Sequence, residues 1–361
     1  MSLSKSIRGS QKNSWSTDNA INLLKGNVSM AVLTLEQIQQ LCFDALVRCG
    51  ANQQHASAVA LELMDAEAEG IRNVGLGYIH LYLNHLKCHK VLGDVEPEVV
   101  RQSAAATLID AKHGFCHTAY LHGEQHLIDN ARREGVAMMA IQHSYSAGVL
   151  GWFVRRLAQQ GLVALMFANS SKAVAAHGGK VPFFGTNPFA FGSPRKGAAP
   201  LVVDMATSST ARVNIVKAAA QGEEIEIGHA IDAQGQPTTN ATAALQGAQL
   251  PFGGAKGFGI GLIVDLLGGA LTGSNCSHEA SLFSTNDGGP PNVGQTIIAF
   301  NPEFYSADYL EHLESMFSAL TDDNEVRIPG ARRQQLREKH QRDGVEVPQA
   351  LLDKIADLSR I

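Results

Sequence analysis

Residues 177–208 read HGGKVPFFGTNPFAFGSPRKGAAPLVVDMATS, and this stretch is the basis of our prediction of the fold. It contains two short apolar runs, residues 189–191 and 201–203, which are typical of buried strands. A polar loop borders each run, because residues 185–188 precede the first and residues 204–208 follow the second. Hydroxyl, amide and carboxylate groups beside buried strands need hydrogen-bonding partners, and a ligand can be one of them. The stretch therefore predicts a binding site at the ends of two strands.

Four ordered motifs resemble those of one enzyme family. Two of them, GGKVPFFGTNP and VVDMATS, lie in the stretch above, and the others are PFGGAKGFG at residues 251–259 and IPGARR at residues 328–333. Together they resemble the malate/L-lactate dehydrogenase family of NAD(P)-dependent oxidoreductases, which is not of Rossmann type. That family includes Δ1-piperideine-2-carboxylate reductase, ureidoglycolate dehydrogenase and diketogulonate reductase. The resemblance runs from about Met30 to Ile361.

This resemblance implies both a fold and an activity. The expected fold is α/β, with the family's own non-Rossmann nucleotide-binding architecture, a large mixed sheet, and a helical domain made from the N- and C-terminal parts. The expected activity is NAD(P)H-dependent reduction of a small 2-oxo acid or cyclic imino acid, by hydride transfer from nicotinamide.

Composition limits the classes of protein to which the chain can belong. Of 361 residues, 45% are hydrophobic and 17% are charged, which is typical of a globular protein. A net charge of −5 gives no indication of a surface that binds nucleic acid, so the small-molecule substrate is what the resemblance implies, and no apolar run approaches the ~20 residues of a membrane helix. The five cysteines are odd in number and form no CxxC pair, and none has zinc-ligand spacing. These features predict a cytoplasmic protein with free thiols and no metal.

Helix and strand patterns divide the chain into three predicted parts. Apolar residues at helical spacing predict a helical domain from residues 30–100 together with residues 300–361. Strands and helices alternate between them, so residues 101–299 are predicted to form an α/β cofactor-binding domain, although no G-x-G-x-x-G fingerprint follows a strand. Residues 1–29 are polar and are predicted to be a flexible extension, with an ordered segment at a subunit contact as the alternative. Helix N-caps are predicted at Thr34 and Asn52.

Three segments are candidates for contacts with the cofactor. Residues 144–151 follow a predicted strand and open a predicted helix, and free amides at a helix N-terminus attract phosphate. Many family members carry Asn-His-Phe-Gly where this chain has Tyr-Ser-Ala-Gly at residues 145–148. Each segment has an alternative interpretation. Residues 144–151 can be a plain strand–helix turn, Asp204 can cap the next helix, and Lys256 can be a solvated side chain. The residues to which the resemblance assigns cofactor contacts are Ser146, Ala147, Gly148, Asp204, Met205, Ala206 and Lys256.

The resemblance also implies two contacts with the substrate. Thr186 matches a residue that contacts substrate in the piperideine-carboxylate reductases. Arg212 falls in the segment that lines the same site, although it can alternatively pair with a surface acid.

The main departure from the family lies in its catalytic block. That block reads approximately G-x-x-Ser-His-Gly-Val-x-Arg-x-x-x-Tyr, whereas residues 70–82 of this chain read GIRNVGLGYIHLY. Asn73 stands at the serine position, Val74 at that of the proton-donating histidine, and Tyr78 at that of the arginine that clamps a carboxylate. Valine cannot transfer a proton, and tyrosine cannot form the bidentate ion pair of arginine. The usual acid–base step therefore lacks its usual donor, and simple 2-oxo carboxylates are expected to be poorer substrates.

Two nearby side chains are candidate replacements for the proton donor. Tyr78 can donate a proton although its reference pKa is about 10, and His80 titrates in the useful range. Asn73 completes the candidate catalytic set, while His117 and His143 are weaker candidates, and each of these residues can alternatively serve packing.

Two hypotheses for the function follow from these substitutions. The first is an NAD(P)H-dependent oxidoreductase with altered catalytic positions. The second is a catalytically impaired cofactor-binding relative, a pseudoenzyme that has lost serine, histidine and arginine together. Retention of the other motifs favours the enzyme.

The C-terminal motif predicts which cofactor is used. Relatives that use NAD often carry Pro-Gly-Glu here, and this glutamate can accept hydrogen bonds from ribose hydroxyls. This chain instead has Ala331, followed by Arg332 and Arg333. Guanidinium groups offer bidentate contacts to a 2′-phosphate, so NADP(H) is predicted over NAD(H), unless both arginines only begin a solvated helix. The resemblance further implies a homodimer with its active site near a subunit contact.

Overall fold

The computed structural model describes residues 29–323 and 326–360. The predicted flexible extension at residues 1–29 lies, apart from Ser29, outside the described residues. No helix in the described part of the chain is long and apolar enough to cross a membrane.

The secondary structure of these residues follows in chain order. The strands are β1 (Met30–Leu33), β2 (Glu98–Gln102), β3 (Ala106–Asp110), β4 (Val136–Ser144), β5 (Val163–Ala168), β6 (Val174–Ala175), β7 (Pro182–Phe184), β8 (Phe189–Ser193), β9 (Leu201–Met205), β10 (Ala230–Ile231), β11 (Pro237–Thr238), β12 (Ala248–Gln249), β13 (Val293–Phe300) and β14 (Val345–Pro348). The helices are α1 (Leu35–Arg48), α2 (Gln53–Ala68), α3 (Leu76–Lys87), α4 (Cys116–Glu134), α5 (Leu150–Gln159), α6 (Arg212–Gln221), α7 (Ala241–Gln246), α8 (Ala255–Asp265), α9 (Pro302–Tyr305), α10 (Tyr309–Thr321), α11 (Ala331–Asp343) and α12 (Gln349–Leu358). A π-helical turn, Leu266–Ala270, continues α8.

A seven-stranded mixed sheet forms the centre of the fold. Its strand order is β2-β3-β4-β13-β5-β8-β9, in which β3 and β4 run parallel and the other neighbours run antiparallel. Apolar side chains of this sheet pack with those of α4 and α5 in one buried core. The predicted fold class, α/β with a large mixed sheet, is therefore confirmed.

The two apolar runs of the opening stretch form the edge of this sheet. They are strands β8 and β9, which pair antiparallel with Phe189 opposite Met205. Because the strands are antiparallel, the start of β8 and the end of β9 lie at the same end of the sheet. The polar loops at residues 185–188 and 204–208 are therefore neighbours.

A helical layer with its own apolar core lies beside the sheet. It contains α1, α2 and α3, with α12 and the antiparallel ladder between β1 and β14. Thr34 caps α1 in a capping box, and the Asn52 side chain accepts a hydrogen bond from the His55 amide at the start of α2, so both predicted caps are confirmed. Side-chain caps of this kind satisfy the free amides of the first helical turn.

Ion pairs hold α11 against α2 and α5. Arg337 of α11 lies 2.7 Å from Asp65 on α2 and 3.2 Å from Glu69, which directly follows α2, and Arg155 of α5 pairs with the same two acids. At the start of α11, a Cβ added to Gly330 would lie 3.1 Å from the Val202 carbonyl oxygen. The C-terminal motif therefore lies against β9.

The sequence did not predict a second, five-stranded sheet of order β11-β10-β12-β6-β7. Its strands span two or three residues, which is too short for a period-two pattern to be recognised. The predicted domain limits, residues 30–100 with 300–361 and residues 101–299, stay a prediction. Strand β2 crosses the limit at residue 100 and joins the large sheet.

Candidate active site

The loops at the ends of β8 and β9 are joined by main-chain hydrogen bonds. The Thr186 carbonyl accepts from the Thr207 amide at 2.8 Å and from its hydroxyl at 3.0 Å. The Phe252 amide in turn donates to the Thr207 carbonyl at 3.0 Å, which brings in the glycine-rich motif that leads to Lys256. Lys256 is exposed near the start of α8. The structure therefore brings Thr186 and the third motif next to the end of β9.

Asp204, near the end of β9, connects three segments that are far apart in sequence. Its Oδ2 atom accepts a hydrogen bond of 2.9 Å from the Gly151 amide at the start of α5. Burial raises the pKa of Asp204, whereas the Gly151 hydrogen bond and the positive charge of Arg333 lower it. The loop before α5, the end of β9 and the start of α11 thus meet at this carboxyl group.

The remaining cofactor candidates lie around this meeting point. Met205 is 42% exposed at the end of β9. Arg333 is half-buried in the first turn of α11, and the preceding Arg332 is exposed. Within the described residues, neither arginine forms an ion pair with a carboxylate. Arg333 lies close enough to Asp204 for its charge to lower the pKa of that carboxyl group.

A buried glutamate supports the Ser146–Gly148 loop from behind. Oε1 of Glu62, on α2, accepts a hydrogen bond of 2.9 Å from the Val149 amide. Gly148 has φ +61°, and a Cβ added there would lie 2.8 Å from the same Oε1 atom. The loop can therefore approach Glu62 this closely only because residue 148 is a glycine.

Tyr78 lies beside Ser146 in front of this loop. Its ring contacts that of Tyr82 edge-on, with ring centroids 5.2 Å apart. Burial of the hydroxyl raises the pKa of Tyr78 to about 12, and a hydrogen-bonding interaction with Ser146 acts in the opposite direction. Tyr78 is therefore a protonated hydroxyl at neutral pH. Two of the predicted residues, Tyr78 and Ser146, are brought together here.

His80 lies on the other side of the same helix. Two residues along an α-helix correspond to a rotation of about 200°, so His80 points away from Tyr78. It is 7% exposed, and burial, together with the nearby charge of Lys354 on α12, lowers the pKa of His80 to about 4. The structure does not bring His80 together with Tyr78 and Ser146.

The other catalytic and substrate candidates are peripheral. Asn73 is exposed in the turn before α3. Arg212 is exposed at the first position of α6, close to the third motif because the Thr210 carbonyl accepts from Gln249 at 2.6 Å. His143 lies 3.0 Å from Asp110, at the end of β4.

Sequence reasoning missed Glu62 as a residue of this region. Its position on α2 is four residues after Ala58 and four before Ala66, both of which are buried. A glutamate on an apolar helix face is unusual, because carboxylates are rarely buried without a partner. A glutamate at helical spacing between apolar residues is therefore the sequence signal that could have identified Glu62.

Comparison with known proteins gives a consistent result. A family model described as malate/L-lactate dehydrogenase matches residues 33–356. A (2R)-3-sulfolactate dehydrogenase (NADP(+)) of Chromohalobacter salexigens is 39% identical over 324 residues, covering 90% of this chain and 97% of that protein. A Delta(1)-pyrroline-2-carboxylate/Delta(1)-piperideine-2-carboxylate reductase of Pseudomonas aeruginosa is 37% identical over 326 residues, covering 89% and 97% of the two chains.

Solved structures agree with the sequence matches. The crystal structure of delta1-piperideine-2-carboxylate reductase from Pseudomonas syringae pvar. tomato superposes with a TM-score of 0.87 at 35% identity. The match covers 91% of this chain and 99% of that one.

Proposed function

The chain belongs to the malate/L-lactate dehydrogenase family and is an oxidoreductase, and on that premise we propose that it reduces a small 2-oxo acid or cyclic imino acid with NADPH. The observation that carries the proposal is the meeting, around Asp204, of two family motifs with the loop that contains Ser146, next to which the Tyr78 hydroxyl lies. The pseudoenzyme alternative has less support, because the relatives named above are enzymes.

The residues around Asp204 fit NADP(H). Gly330 lets the main chain at the start of α11 approach Val202 of β9, and Arg333 in that first turn is close enough to Asp204 to lower the pKa of its carboxyl group. Helix N-termini and guanidinium groups both attract phosphate. In this proposal the two arginines hold the 2′-phosphate. Ser146, Ala147, Gly148, Asp204, Met205, Ala206 and Lys256 form the remaining contacts with the cofactor.

The reaction needs one proton from the protein. When bound, the reduced nicotinamide supplies a hydride to the substrate carbon, and the substrate oxygen or nitrogen then requires a proton. Tyr78 donates this proton in the proposal, because its hydroxyl stays protonated at neutral pH and lies beside Ser146. Ser146 donates a hydrogen bond to the Tyr78 oxygen and so stabilises the negative charge that develops on it during the transfer. Asn73 orients the substrate at the entrance.

Thr186 and Arg212 bind the substrate in this proposal. Tyr78 stands where the family motif has arginine, so a substrate carboxylate loses a charge-assisted contact worth about 1.5–3 kcal/mol. Arg212, at the start of α6, supplies a replacement positive charge in this proposal. That charge comes from a different element than α3, which carries Tyr78. All of the proposed substrates carry a carboxylate, so those with further contacts, from a ring or from a second polar group, depend less on the lost pair, and simple 2-oxo carboxylates such as pyruvate are expected to be poorer substrates.

A panel of substrates tests the proposed function. NADPH oxidation is measured with pyruvate, with five- and six-membered cyclic imino acids, and NADP⁺ reduction with (2R)-3-sulfolactate. Turnover of a cyclic imino acid or of sulfolactate well above that of pyruvate is expected. Pyruvate as the best substrate contradicts the specificity, and no turnover of any compound despite NADPH binding supports the pseudoenzyme.

The proposal includes a homodimer. Four large apolar side chains, Leu262, Ile263, Leu266 and Leu271, are between 38% and 54% exposed along α8 and the turn that follows it. A cluster of this kind is typical of a surface that another subunit covers. Sedimentation at micromolar concentration is expected to give a dimer, and a single monomeric species contradicts it.

The proposed location is the cytoplasm. All five cysteines are free thiols, and Cys88 is exposed among them. Free thiols are typical of a reducing compartment. Fractionation of cells that make the protein is expected to recover it with cytoplasmic markers, and recovery in another compartment contradicts the assignment.

A further inference from the structure

A group of buried polar atoms lies behind the Ser146–Gly148 loop. The atoms are Oε2 of Glu62, both ring nitrogens of His117, the hydroxyl of Tyr82 and Nε1 of Trp152, and none has a hydrogen-bond partner among the described residues. The four side chains are at most 1% exposed. Buried polar atoms without protein partners are usually bridged by ordered water. These atoms therefore form a buried polar cluster, in which ordered water is the expected hydrogen-bonding partner.

Contacts connect this group to the loop and to Tyr78. Oε2 of Glu62 lies 3.8 Å from Nε2 of His117, which is too long for a direct hydrogen bond and short enough for water to bridge. Burial raises the pKa of Tyr82, the nearby Glu62 carboxyl raises it further, and a hydrogen-bonding interaction with the Ser146 side chain acts in the opposite direction. Ser146 also interacts with Tyr78. The groups thus follow one another from α4 to the candidate active site.

Charged groups around Glu62 set its protonation state. Burial raises the pKa of Glu62 to about 8, while the Val149 amide and Arg155 of α5 lower it, and Asp65 and Asp204 raise it. Glu62 is therefore largely protonated at neutral pH. It acts as a neutral carboxylic acid that holds one transferable proton.

The other titratable neighbours of Glu62 are neutral at this pH. Burial lowers the pKa of His117 to about 3, the Ala147 main chain raises it without reversing this effect, and His55 lowers it further. Burial raises the pKa of Cys42 on α1, of Cys116 on α4 and of Tyr82 on α3. A carboxylic acid is thus the only group of this set, among the described residues, that can release a proton near neutral pH.

We propose that Glu62 is the internal proton reservoir of the enzyme, and that it resupplies Tyr78 through the hydroxyls of Tyr82 and Ser146 and bridging water. His117 is a positioning residue that holds the water beside the Glu62 carboxyl. The proposal rests on the proposed function, because it concerns the source of the proton that reduction consumes. A closed active site excludes bulk water, so a proton stored inside the protein is useful at that moment.

The transfer balances in atoms and charge. Tyr78 releases its proton to the oxygen or nitrogen of the substrate as the chain resupplies it, and each intervening hydroxyl breaks one O–H bond and forms another. Glu62 ends as a carboxylate, the substrate gains one proton, and no electron moves along the chain. Glu62 regains a proton from solvent through the half-buried Tyr78 side chain after the product has left.

The pH dependence of a single turnover tests the reservoir. In the wild-type enzyme the rate constant of reduction is expected to fall as pH rises through about 8, because Glu62 then loses its proton. Glu62→Gln keeps the hydrogen bond from Val149 and cannot ionise, so it is expected to react at least about tenfold more slowly and without that inflection. The matched control is Glu124→Gln, whose parent carboxylate pairs with Arg156 at 2.7 Å outside this group, and its profile is expected to equal that of the wild type.

Two outcomes overturn the proposal in distinguishable ways. An active wild-type enzyme with the same profile in Glu62→Gln overturns the reservoir alone. A wild-type enzyme that reduces no compound overturns the proposed function and the reservoir with it.

Infrared difference spectroscopy supplies a readout that does not depend on activity or on a folded variant. Titration of the wild-type protein is expected to show a buried carboxylic acid band that disappears as pH rises through about 8. Absence of such a band in folded wild-type protein overturns the proposal. If Glu62→Gln folds, the band is expected to be missing from it.

Discussion

Tyr78 is the residue on which the proposed chemistry depends most directly. Tyr78→Phe removes the hydroxyl and keeps the ring that packs on Tyr82, with centroids 5.2 Å apart. Loss of a general acid is expected to lower kcat about 100-fold or more, with a smaller change in KM. Tyr305→Phe makes the same chemical change at a side chain that is 62% exposed, and serves as the control. Steady-state kinetics measure both, and a Tyr78→Phe enzyme with wild-type kcat would show that another group donates.

Glu62 also makes a prediction about stability. Burial raises the pKa of Glu62 from 4.5 to about 8 in the folded protein. At pH values between these two, unfolding therefore releases a proton from this carboxyl group. The stability from this group is present below pH 4.5 and is lost as pH rises through about 8. The wild type loses this stability as pH rises, whereas Glu62→Gln has no such pH-dependent loss. The difference in melting temperature, variant minus wild type, is therefore expected to increase from pH 5 to pH 8. A difference that is constant with pH, measured by thermal melting, contradicts a raised pKa.

The sequence could predict the identity of the catalytic candidates but not their directions. Tyr78 and His80 are two residues apart, and both were reasonable donors while the helix register was unknown. In the structure both residues lie on α3, which begins at Leu76, and helical geometry places their side chains on opposite faces of that helix. The role of Glu62 depends on contacts with α4 and α5, which no local pattern contains.

Among the structural elements, the loop before α5 is the one whose shape the site needs most. Gly148→Ala introduces a Cβ at φ +61° and 2.8 Å from Oε1 of Glu62, so the hydrogen bond from Val149 must lengthen. Gly161→Ala has a similar backbone, φ +81°, with nothing within 4 Å, and is the matched control. Both are expected to lose about 1 kcal/mol of unfolding free energy, and only Gly148→Ala is expected to lose activity as well. Equal activities of the two variants would show that the contact with Glu62 is dispensable.

Helix α11 has to be held in place for its first turn to bind the cofactor. Arg337→Ala breaks pairs with Asp65 and Glu69 in which the arginine side chain is 17% exposed, and is expected to cost about 2 kcal/mol or more of unfolding free energy. NADPH affinity is expected to fall with it. The control is Arg342→Ala, whose side chain is 72% exposed and pairs with its neighbour Asp343, with an expected effect within about 0.5 kcal/mol. Denaturant unfolding and NADPH titration measure both quantities, and similar losses in the two variants contradict the role of the buried pairs.

Elements with local signals were predicted better than those without. The caps at Thr34 and Asn52 fix the starts of α1 and α2 through hydrogen bonds within four residues. The strands of the five-stranded sheet have no such signal, because each pairs through only one or two residues, and the contact between β12 and β6 joins segments far apart in the chain. Their existence is decided by tertiary packing.

At the scale of the whole molecule, the candidate site depends on contacts between distant segments. Strand β13 lies between β4 and β5 in the sheet, although it follows them by more than a hundred residues. The site itself joins residues 146–151, 204–208 and 330–333 around one carboxyl group. The motifs predicted each segment through resemblance, whereas their meeting at Asp204 follows only from the complete fold.

Binding of NADP(H) at this meeting point is the claim on which the proposed chemistry rests. Titration of the protein with NADPH and with NADH, in the wild type and in the double variant Arg332→Ala and Arg333→Ala, tests it directly. The wild type is expected to bind NADPH at least about tenfold more tightly than NADH, and added salt is expected to reduce the difference. The double variant is expected to lose most of this preference while its NADH affinity changes little. Equal affinities for the two cofactors that stay unchanged in the double variant would contradict the account.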